Sequence, residues 1–352
     1  TTAAISVSAT LDLTVTATGV SAALHGTFTF DRSVLDTESV IRLSLTGGST
    51  TFAAGTASLS ITGINGAFVI NGHGFAGRAS VGAVTLTPGI SGLTFTPSSL
   101  FFEINTTGDE INNLTIPGAS VPLNFVGNDR KKFFRVQGTV ALGLDLGGIA
   151  VSLDGTFYFE KYSADLDGPT GPAGVTDVIK FAAIGANASF STGNIKLEVT
   201  GVDGGFVIDN SGVAGFVNAD AITATGLPSA ITNLGGSGLS FAINTTGHAV
   251  AASFGIAESG ASISFDYSDA SELSFVSIGG TIDLGIAAGG ASVAIHGSIA
   301  FYGGTVDGNK VIKIGGENLT ASVTVGPVTA SITDVDFIFV VFDAGANSGV
   351  AG

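Results

Sequence analysis

The residues of this sequence whose types and spacing could do chemistry are the aspartates of its turns. Asp165 and Asp167 lie in a segment rich in glycine and proline, and Asp177 follows soon after it. Ca²⁺ binds about six to eight oxygens, which clustered carboxylates and carbonyls of such loops supply. These three aspartates are therefore the candidate metal ligands, and Ca²⁺ is the only cofactor suggested. Since the sequence has no EF-hand loop and no Gly-Asp nonapeptides, solvated turns are the alternative.

The histidines and the glycine motif are the other candidates for chemistry. His25, His73, His248 and His296 are the only histidines, and we expect them to have structural or surface roles. Residues 72–77 match G-x-G-x-x-G, but a dinucleotide-binding loop needs a helix after it, and here a strand pattern follows. We interpret this segment as a tight hairpin.

Recognisable catalytic motifs are missing from the sequence. It contains no G-x-S-x-G elbow, no H-E-x-x-H and no phosphate-binding loop. Asp and Glu fall largely on turns and on the polar sides of alternating segments, so no carboxylate pair across a cleft is indicated. We therefore predict no enzymatic activity, no catalytic residues and no organic cofactor.

Charge and composition exclude several partner classes. The formal net charge is −16, from 12 basic and 28 acidic residues, which disfavours nucleic acid and anionic membrane surfaces as partners. The longest apolar run, residues 337–342, is far shorter than the ~20 residues of a spanning helix, so we expect no membrane insertion. Cysteine is absent, which rules out disulfides and thiolate sites.

Short Asn-x-Ser/Thr motifs are a further candidate for modification. They occur at Asn105, Asn113, Asn187, Asn244 and Asn318. In a sequence rich in Ser and Thr, chance accounts for much of this number. Glycans would matter only if the source of the protein attaches them.

An internal repeat of about 130 to 140 residues is the most informative feature of the chain. Residues 24–30 (LHGTFTF) recur as residues 153–159 (LDGTFYF) and residues 295–301 (IHGSIAF). The segment INTTG stands at residues 104–108 and again at residues 243–247. The markers keep their order, and chance does not produce such ordered matches.

The repeats divide the chain into three predicted units. The first is residues 1–130, the second residues 131–272, and the third residues 273–352. Residues 348–352 are identical to residues 211–215, a position in the middle of a unit. We therefore expect the third unit to be truncated within its pattern and the chain to be a piece of a longer tandem array, with a half-unit cap as the alternative.

Each unit reads as antiparallel β-structure. Leu11, Leu13 and Val15 alternate with polar residues, and Phe28 and Phe30 alternate with Thr27 and Thr29. A period of two is typical of strands with one dry face and one wetter face. Gly and Asn between these runs supply the positive φ angles of tight hairpins. We predict an all-β fold in which antiparallel strands follow one another as a meander, without long helices.

Two elongated architectures fit tandem units of this kind. One is a continuous antiparallel sheet whose units stack in the manner of a solenoid, and the other is a string of separate β-sandwiches. No linker is evident between the units, and the junction at residues 130–139 runs directly into a strand pattern. This observation favours the continuous form, in which the next unit covers each open edge.

The unit resembles a known class of repeat. The segments that carry the resemblance are residues 134–139, 153–160, 211–215 and 243–247. They are similar to the tandem β-repeats of very large secreted bacterial surface proteins, which are adhesin-like or RTX-associated. The resemblance covers nearly the whole chain with motifs of low specificity. It implies an extracellular or cell-surface location, many units and no enzymatic activity.

Two functions remain open from the sequence. The first is a structural protein that forms an extracellular filament, fibre or surface matrix by packing unit on unit. Its partners would be further copies or neighbouring repeats, together with the cell surface or extracellular matrix. The alternative is an adhesin stalk, or a module that binds a carbohydrate or another ligand at the cell surface.

Overall fold

The chain folds into β-strands joined by hairpins, and no described residue lies in an α-helix. The computed structural model describes residues 5–17, 20–35, 38–54, 57–87, 93–127, 130–145, 149–164, 176–255, 262–306, 309–343 and 349–351. The predicted all-β class and antiparallel meander are confirmed. Within the described residues, the structure contains no helix with the length and hydropathy that a membrane span requires.

Most strands are long, with up to 17 residues. The first eleven are β1 (Ile5–Ala17), β2 (Val20–Leu35), β3 (Glu38–Ala54), β4 (Ala57–Asn71), β5 (Gly74–Val81), β6 (Ala83–Thr87), β7 (Leu93–Asn105), β8 (Ile111–Leu114), β9 (Leu123–Phe125), β10 (Phe133–Asp145) and β11 (Ile149–Ala164). The others are β12 (Thr176–Thr192), β13 (Ile195–Ile208), β14 (Val213–Thr225), β15 (Ile231–Asn244), β16 (Val250–Gly255), β17 (Ser262–Tyr267), β18 (Phe275–Ala288), β19 (Ala291–Val306), β20 (Asn309–Val325), β21 (Val328–Asp343) and β22 (Gly349–Ala351).

The structure divides into two compact units. Unit 1 contains residues 1–144 and 156–181, and unit 2 contains residues 145–155 and 182–352. Strands β10, β11 and β12 therefore contribute residues to both units. The three-unit division at residues 130 and 272, which rests on sequence similarity, stays a prediction.

In unit 1 the strands pair with their neighbours in sequence. Strand β1 pairs with β2, β2 with β3 and β3 with β4, all antiparallel. Strand β4 then pairs with β5 near its end and with β6 near its start. Strand β5 pairs with β7, and β7 pairs with β10. Strands β8 and β9 form a separate small hairpin.

Unit 2 repeats this arrangement. Strands β13, β14 and β15 pair in succession, and β15 pairs with β18. The pairing continues from β18 through β19, β20 and β21 to the short β22. Strands β16 and β17 form the separate hairpin, and they follow β15 as β8 and β9 follow β7.

A β-bulge interrupts the long strands near their middle. Gly47, Gly185 and Asn318 have positive φ angles of 60°, 56° and 52° at equivalent places. The backbone N–H of each donates to a side chain 18 residues later in the chain, on Asn65, Asp203 and Asp336 respectively, at 2.7–3.1 Å. Because a bulge bends a strand and ends regular pairing, it separates two halves of each strand.

The small hairpins cover only one half of the long strands. In unit 1, Ile116, Leu123 and Phe125 of the β8–β9 segment are buried. The hydroxyl of Ser44 on β3 donates to the Pro117 carbonyl at 2.8 Å, and Arg42 Nη1 donates to the Thr115 carbonyl at 3.1 Å. These bonds hold the covering segment onto the half of β3 that precedes the bulge.

Unit 2 uses β16–β17 in the same way. Phe254 is fully buried, and a Cβ placed on Gly205 of β13 would lie 2.8 Å from its ring. The Tyr267 hydroxyl donates to the Gly215 carbonyl of β14 at 2.9 Å. A glycine at position 205 therefore gives the Phe254 ring the space that it needs against the sheet.

The sequence pattern did not identify which face of the strands is dry. The alternation of Phe28 and Phe30 with threonines indicated two different faces, and the structure shows Phe30 to be 41% exposed whereas the adjacent Asp31 is 4% exposed. The covering hairpin packs on the opposite face from these phenylalanines, so polar residues point inward there. Period-two alternation distinguishes two faces but does not say which one a second layer covers.

We expect the covering hairpin to carry much of the stability of unit 1. Replacement of Phe125, which is 1% exposed, by Ala should lower the free energy of unfolding by about 3–5 kcal/mol, because it leaves a cavity under the hairpin. The matched control is Val126→Ala, at a side chain that is 51% exposed, with an expected change of less than about 0.5 kcal/mol. Equal losses in denaturant melts would contradict the assignment.

Candidate functional site

The predicted metal ligands are only partly within the described residues. Asp165 and Asp167 lie outside them. Asp177 accepts a hydrogen bond from Ser163 Oγ at 3.0 Å and lies 2.7 Å from Lys161 Nζ. The hydrogen bonds from Lys161 and Ser163, with the charge of Lys161, hold the pKa of Asp177 below its usual value. No group of three or more possible metal ligands occurs in the described part of the chain, and the Ca²⁺ site stays a prediction.

Asp177 belongs to a shallow groove on unit 1, which we call the lysine groove. Its volume is about 280 Å³. It is lined by Ile104, Asn105, Thr106, Lys132, Phe133, Phe134, Lys161, Tyr162, Ser163 and Asp177. Phe133, Tyr162 and Asn105 are buried beneath it, whereas Lys132, Lys161 and Asp177 are exposed at its rim. The groove thus combines an apolar base with two ammonium groups and one carboxylate.

Unit 2 contains an equivalent groove without these charges, which we call the neutral groove. It has a volume of about 310 Å³ and is lined by Asn244, Thr245, Ser274, Phe275, Val276, Gly303, Gly304, Val311 and Ile312. In the repeat alignment, Ser274 replaces Lys132 and Gly303 replaces Lys161. The fold therefore forms a groove at this place whether or not it carries lysines.

A buried ionic cluster lies on the covered face of unit 1. Arg135 lies between two carboxylates, with Nη1 2.8 Å from Glu103 Oε2 and Nε donating to Glu160 Oε2 at 3.0 Å. The Tyr158 hydroxyl donates to the same Glu160 oxygen at 2.6 Å. Lys180 Nζ is 3.8 Å from the other oxygen of Glu160, which is 2% exposed.

Burial perturbs the titration of this cluster. It raises the pKa of Glu103, and the positive charge of Arg135 opposes this shift. Burial, together with the nearby Glu160 carboxylate, also raises the pKa of the Tyr158 hydroxyl. These groups connect the four strands β7, β10, β11 and β12, and none of them lines the lysine groove.

The same pair of positions carries a cation and its partner in every repeat. In the first, Arg42 Nε donates to Asp31 Oδ2 at 2.8 Å. In the second, Lys180 approaches Glu160. In the third, Lys313 Nζ lies 5.2 Å from the centre of the Tyr302 ring, a cation–π contact. We infer that this position is structural, because the partner changes type while the pairing persists.

The INTTG segments are buried turns with identical hydrogen bonds. Asn105 Nδ2 donates to the carbonyls of Asp109 and Arg130, at 2.9 and 2.8 Å. Asn244 Nδ2 donates to the carbonyls of His248 and Glu272, at 3.1 and 2.8 Å. Each Oδ1 accepts from the backbone and the hydroxyl of the threonine two residues later. In two of the five Asn-x-Ser/Thr motifs, the asparagine amide is therefore buried and hydrogen-bonded inside the protein.

All four histidines contact a carboxylate, which the sequence analysis missed. His25 Nδ1 hydrogen-bonds to Asp12, and His296 Nδ1 hydrogen-bonds to Asp283, across equivalent strand pairs. The shared spacing of 13 residues in two repeats was the signal that could have revealed these pairs. Both pairs are exposed and lie on regular strands, which agrees with the surface role that we expected.

The other two histidines connect a hairpin turn to the INTTG turn. His73 Nδ1 is 2.7 Å from Asp109 Oδ2 in unit 1. In unit 2 the roles are exchanged, since His248 Nε2 lies 3.0 Å from Ser211 Oγ and 3.3 Å from Asp209 Oδ2. Ser211, Asp209 and His248 do not form an acyl-transfer site, because the Asp209 carboxylate accepts from Ser211 rather than orienting the imidazole.

Comparison with known proteins assigned no family. Neither a scan against protein-family models nor a search of the curated proteins found a match.

We expect Asn244 to be essential for its turn. In Asn244→Asp, two carbonyl oxygens would face a carboxylate instead of an amide donor, and the free energy of unfolding should fall by about 3 kcal/mol. Asn113→Asp is the control, because Asn113 is exposed and Asp tolerates its positive φ angle of 45°. Denaturant melts that show the same loss for both variants would contradict the role of the turn.

We also expect His73 to titrate above its usual pKa of 6.5. The hydrogen bond to Asp109 is the largest cause, and the charge of Glu38 adds to it. Protonated His73 therefore stabilises the fold fully below pH 6.5, and this contribution is lost as the pH rises through the raised pKa. In an NMR titration, Asp109→Asn should lower the His73 pKa more than Glu38→Gln. The reverse order would refute the proposed contact.

Proposed function

We propose that this chain is a non-enzymatic structural repeat protein that forms an extracellular filament, fibre or surface matrix. The observation that carries the proposal is the set of exposed apolar side chains on strand halves that no described segment of the chain covers. Strand edges and apolar faces of this kind are where another chain or repeat can pair.

The two sides of strand β21 differ in their pairing among the described residues. It pairs with β20 along nearly its whole length, from Lys310↔Asp343 to Val325↔Val328. Its other side pairs with β22 only at residues 340–342, among the described residues. The equivalent strand β13 pairs with β14 from residue 196 to residue 208. Further strands, from the same chain or from another copy, would pair with β21 here as β14 pairs with β13.

The side chains along this edge support pairing with another strand. Val328, Ile332 and Ile338 of β21 are all at least 60% exposed. Unpaired N–H and C=O groups beside apolar side chains are a template for an added strand. When the added strand comes from a different surface of an identical chain, the contact is heterologous and can propagate into a filament. A net charge of −16 opposes disordered clumping.

The second candidate function is a ligand-binding or adhesin module at the cell surface. The lysine groove favours it, because two lysines converge on a groove in a chain that carries few cations. The resemblance to secreted bacterial surface repeats supports an extracellular location for either function.

Electron microscopy of the native protein without detergent tests the structural function. We expect uniform filaments for the wild-type chain. Ile332→Lys should abolish or shorten them, because a lysine at an edge opposes strand addition. The control is Val323→Lys on β20, which is exposed but paired on both sides, and it should still form filaments.

The same images decide between the alternatives. Compact, discrete particles from the wild-type chain would contradict the filament proposal and favour the binding module. Filaments that disassemble only when a chelator is added would support Ca²⁺ binding by the aspartate turns.

A further inference from the structure

We propose that the lysine groove binds a single-chain anionic amphiphile, with its charged headgroup at Lys132 and Lys161 and its hydrocarbon chain against Phe134 and Ile104. The groove lies within unit 1, and this binding does not depend on filament formation. Four observations on the described residues support it.

The first observation is the local excess of positive charge. The lining residues include two lysines and one aspartate in a chain whose formal net charge is −16. Asp177 lies 2.7 Å from Lys161 and accepts a hydrogen bond from Ser163. Its charge is thus offset within the groove. Among the described residues, no carboxylate lies within ion-pair distance of Lys132, whose ammonium group is exposed at the rim.

The second observation is the apolar base of the groove. Phe134 and Ile104 are opposite each other on β10 and β7. The Phe134 ring packs edge-on against Phe102 at 5.2 Å and against Phe159 at 6.2 Å between ring centres. Phe159 is itself exposed, so the aromatic surface continues beyond the groove. A hydrocarbon chain gains from such a surface, whereas a sugar would leave its hydroxyl groups without partners there.

The third observation is that the charged rim of the groove is separate from its apolar surface. Lys132 and Lys161 stand at the strand ends, beside Ser163 and Asp177, while the phenylalanines extend along the strands away from them. A ligand with one charged end and one apolar end matches this arrangement. A volume of about 280 Å³ is at the small end of ligand pockets, so the groove fits a headgroup with the first part of a chain.

The fourth observation is the neutral groove of unit 2. It occupies the same place in the next repeat and has a similar volume, but Ser274 and Gly303 replace the lysines. The fold therefore does not require lysines here. Arg32 stands at the Lys161 position of the first repeat, so a cation is found there in two repeats, but Lys132 and Lys161 occur together in one repeat alone. A charged ligand that this groove binds and the neutral groove does not explains this pair of lysines.

Isothermal titration with octanoate, below its micelle concentration, tests the proposal on the whole chain. We expect octanoate to bind at one site, and acetate and octyl glucoside to bind at least about tenfold more weakly. Acetate carries the charge without the chain, and octyl glucoside carries the chain without the charge. Equal binding of acetate would exclude the hydrocarbon contact, and equal binding of octyl glucoside would exclude the headgroup contact. An absence of octanoate binding would overturn the proposal.

Variants then locate the site. Lys132→Gln should weaken octanoate binding about fivefold, as expected for one exposed charge contact. Lys196→Gln, which removes an exposed lysine of unit 2 that pairs with Glu198, should leave the affinity unchanged. An equal effect of both variants would show that net charge alone drives binding.

A gain-of-site variant gives a test that does not depend on losing affinity. Ser274→Lys places a cation at the rim of the neutral groove and should add a second octanoate site per chain. The amide chemical shifts of Val276 and Phe275 should change upon octanoate addition in this variant only. An unchanged stoichiometry would contradict the role assigned to a lysine at this position.

Discussion

Coverage of a sheet face by a second layer is the constraint on which the rest of this structure depends. Each unit has one small hairpin, β8–β9 or β16–β17, and that hairpin is long enough to bury only one half of the neighbouring strands. The bulge near the middle of each strand marks the boundary. The ionic cluster and the INTTG turns lie in the covered half, where burial favours the pairing of their polar groups with one another. The other half remains available for contacts with another chain.

At aligned positions, the repeats pair different side chains with one another. The cation at one aligned position pairs with Asp31, then with Glu160, then with the ring of Tyr302. The His–carboxylate contact between two turns exchanges its partners from unit 1 to unit 2. In contrast, equivalent atoms form the hydrogen bonds of the bulges and of the INTTG turns. We infer that the bulges and the INTTG turns define the repeat, whereas the charged side chains adapt to the local environment.

The sequence predicted the strand topology, but it did not predict which residues pack in the interior. Alternation and turn residues predicted the antiparallel meander, because both are local properties. The face that is covered depends on a hairpin distant in sequence, so the alternation of Phe28 and Phe30 with threonines did not show which face is buried. Glu103, Arg135 and Glu160 meet only after folding. Asn244 was recognised as a repeat marker and as part of a short Asn-x-Thr motif, but its hydrogen bonds in the turn were not predicted. The lysine groove likewise joins β7, β10, β11 and β12, which no local pattern connects.

Hydrogen exchange of the assembled protein, compared with the dispersed chain, tests the central claim most directly. That claim is that the uncovered strand halves and the β21 edge mediate assembly. The account predicts that amides of residues 328–338 and of residues 195–199 exchange more slowly in filaments, while the already covered residues 204–208 change little. Unchanged exchange along the β21 edge upon assembly, or new protection confined to the covered halves, would contradict it.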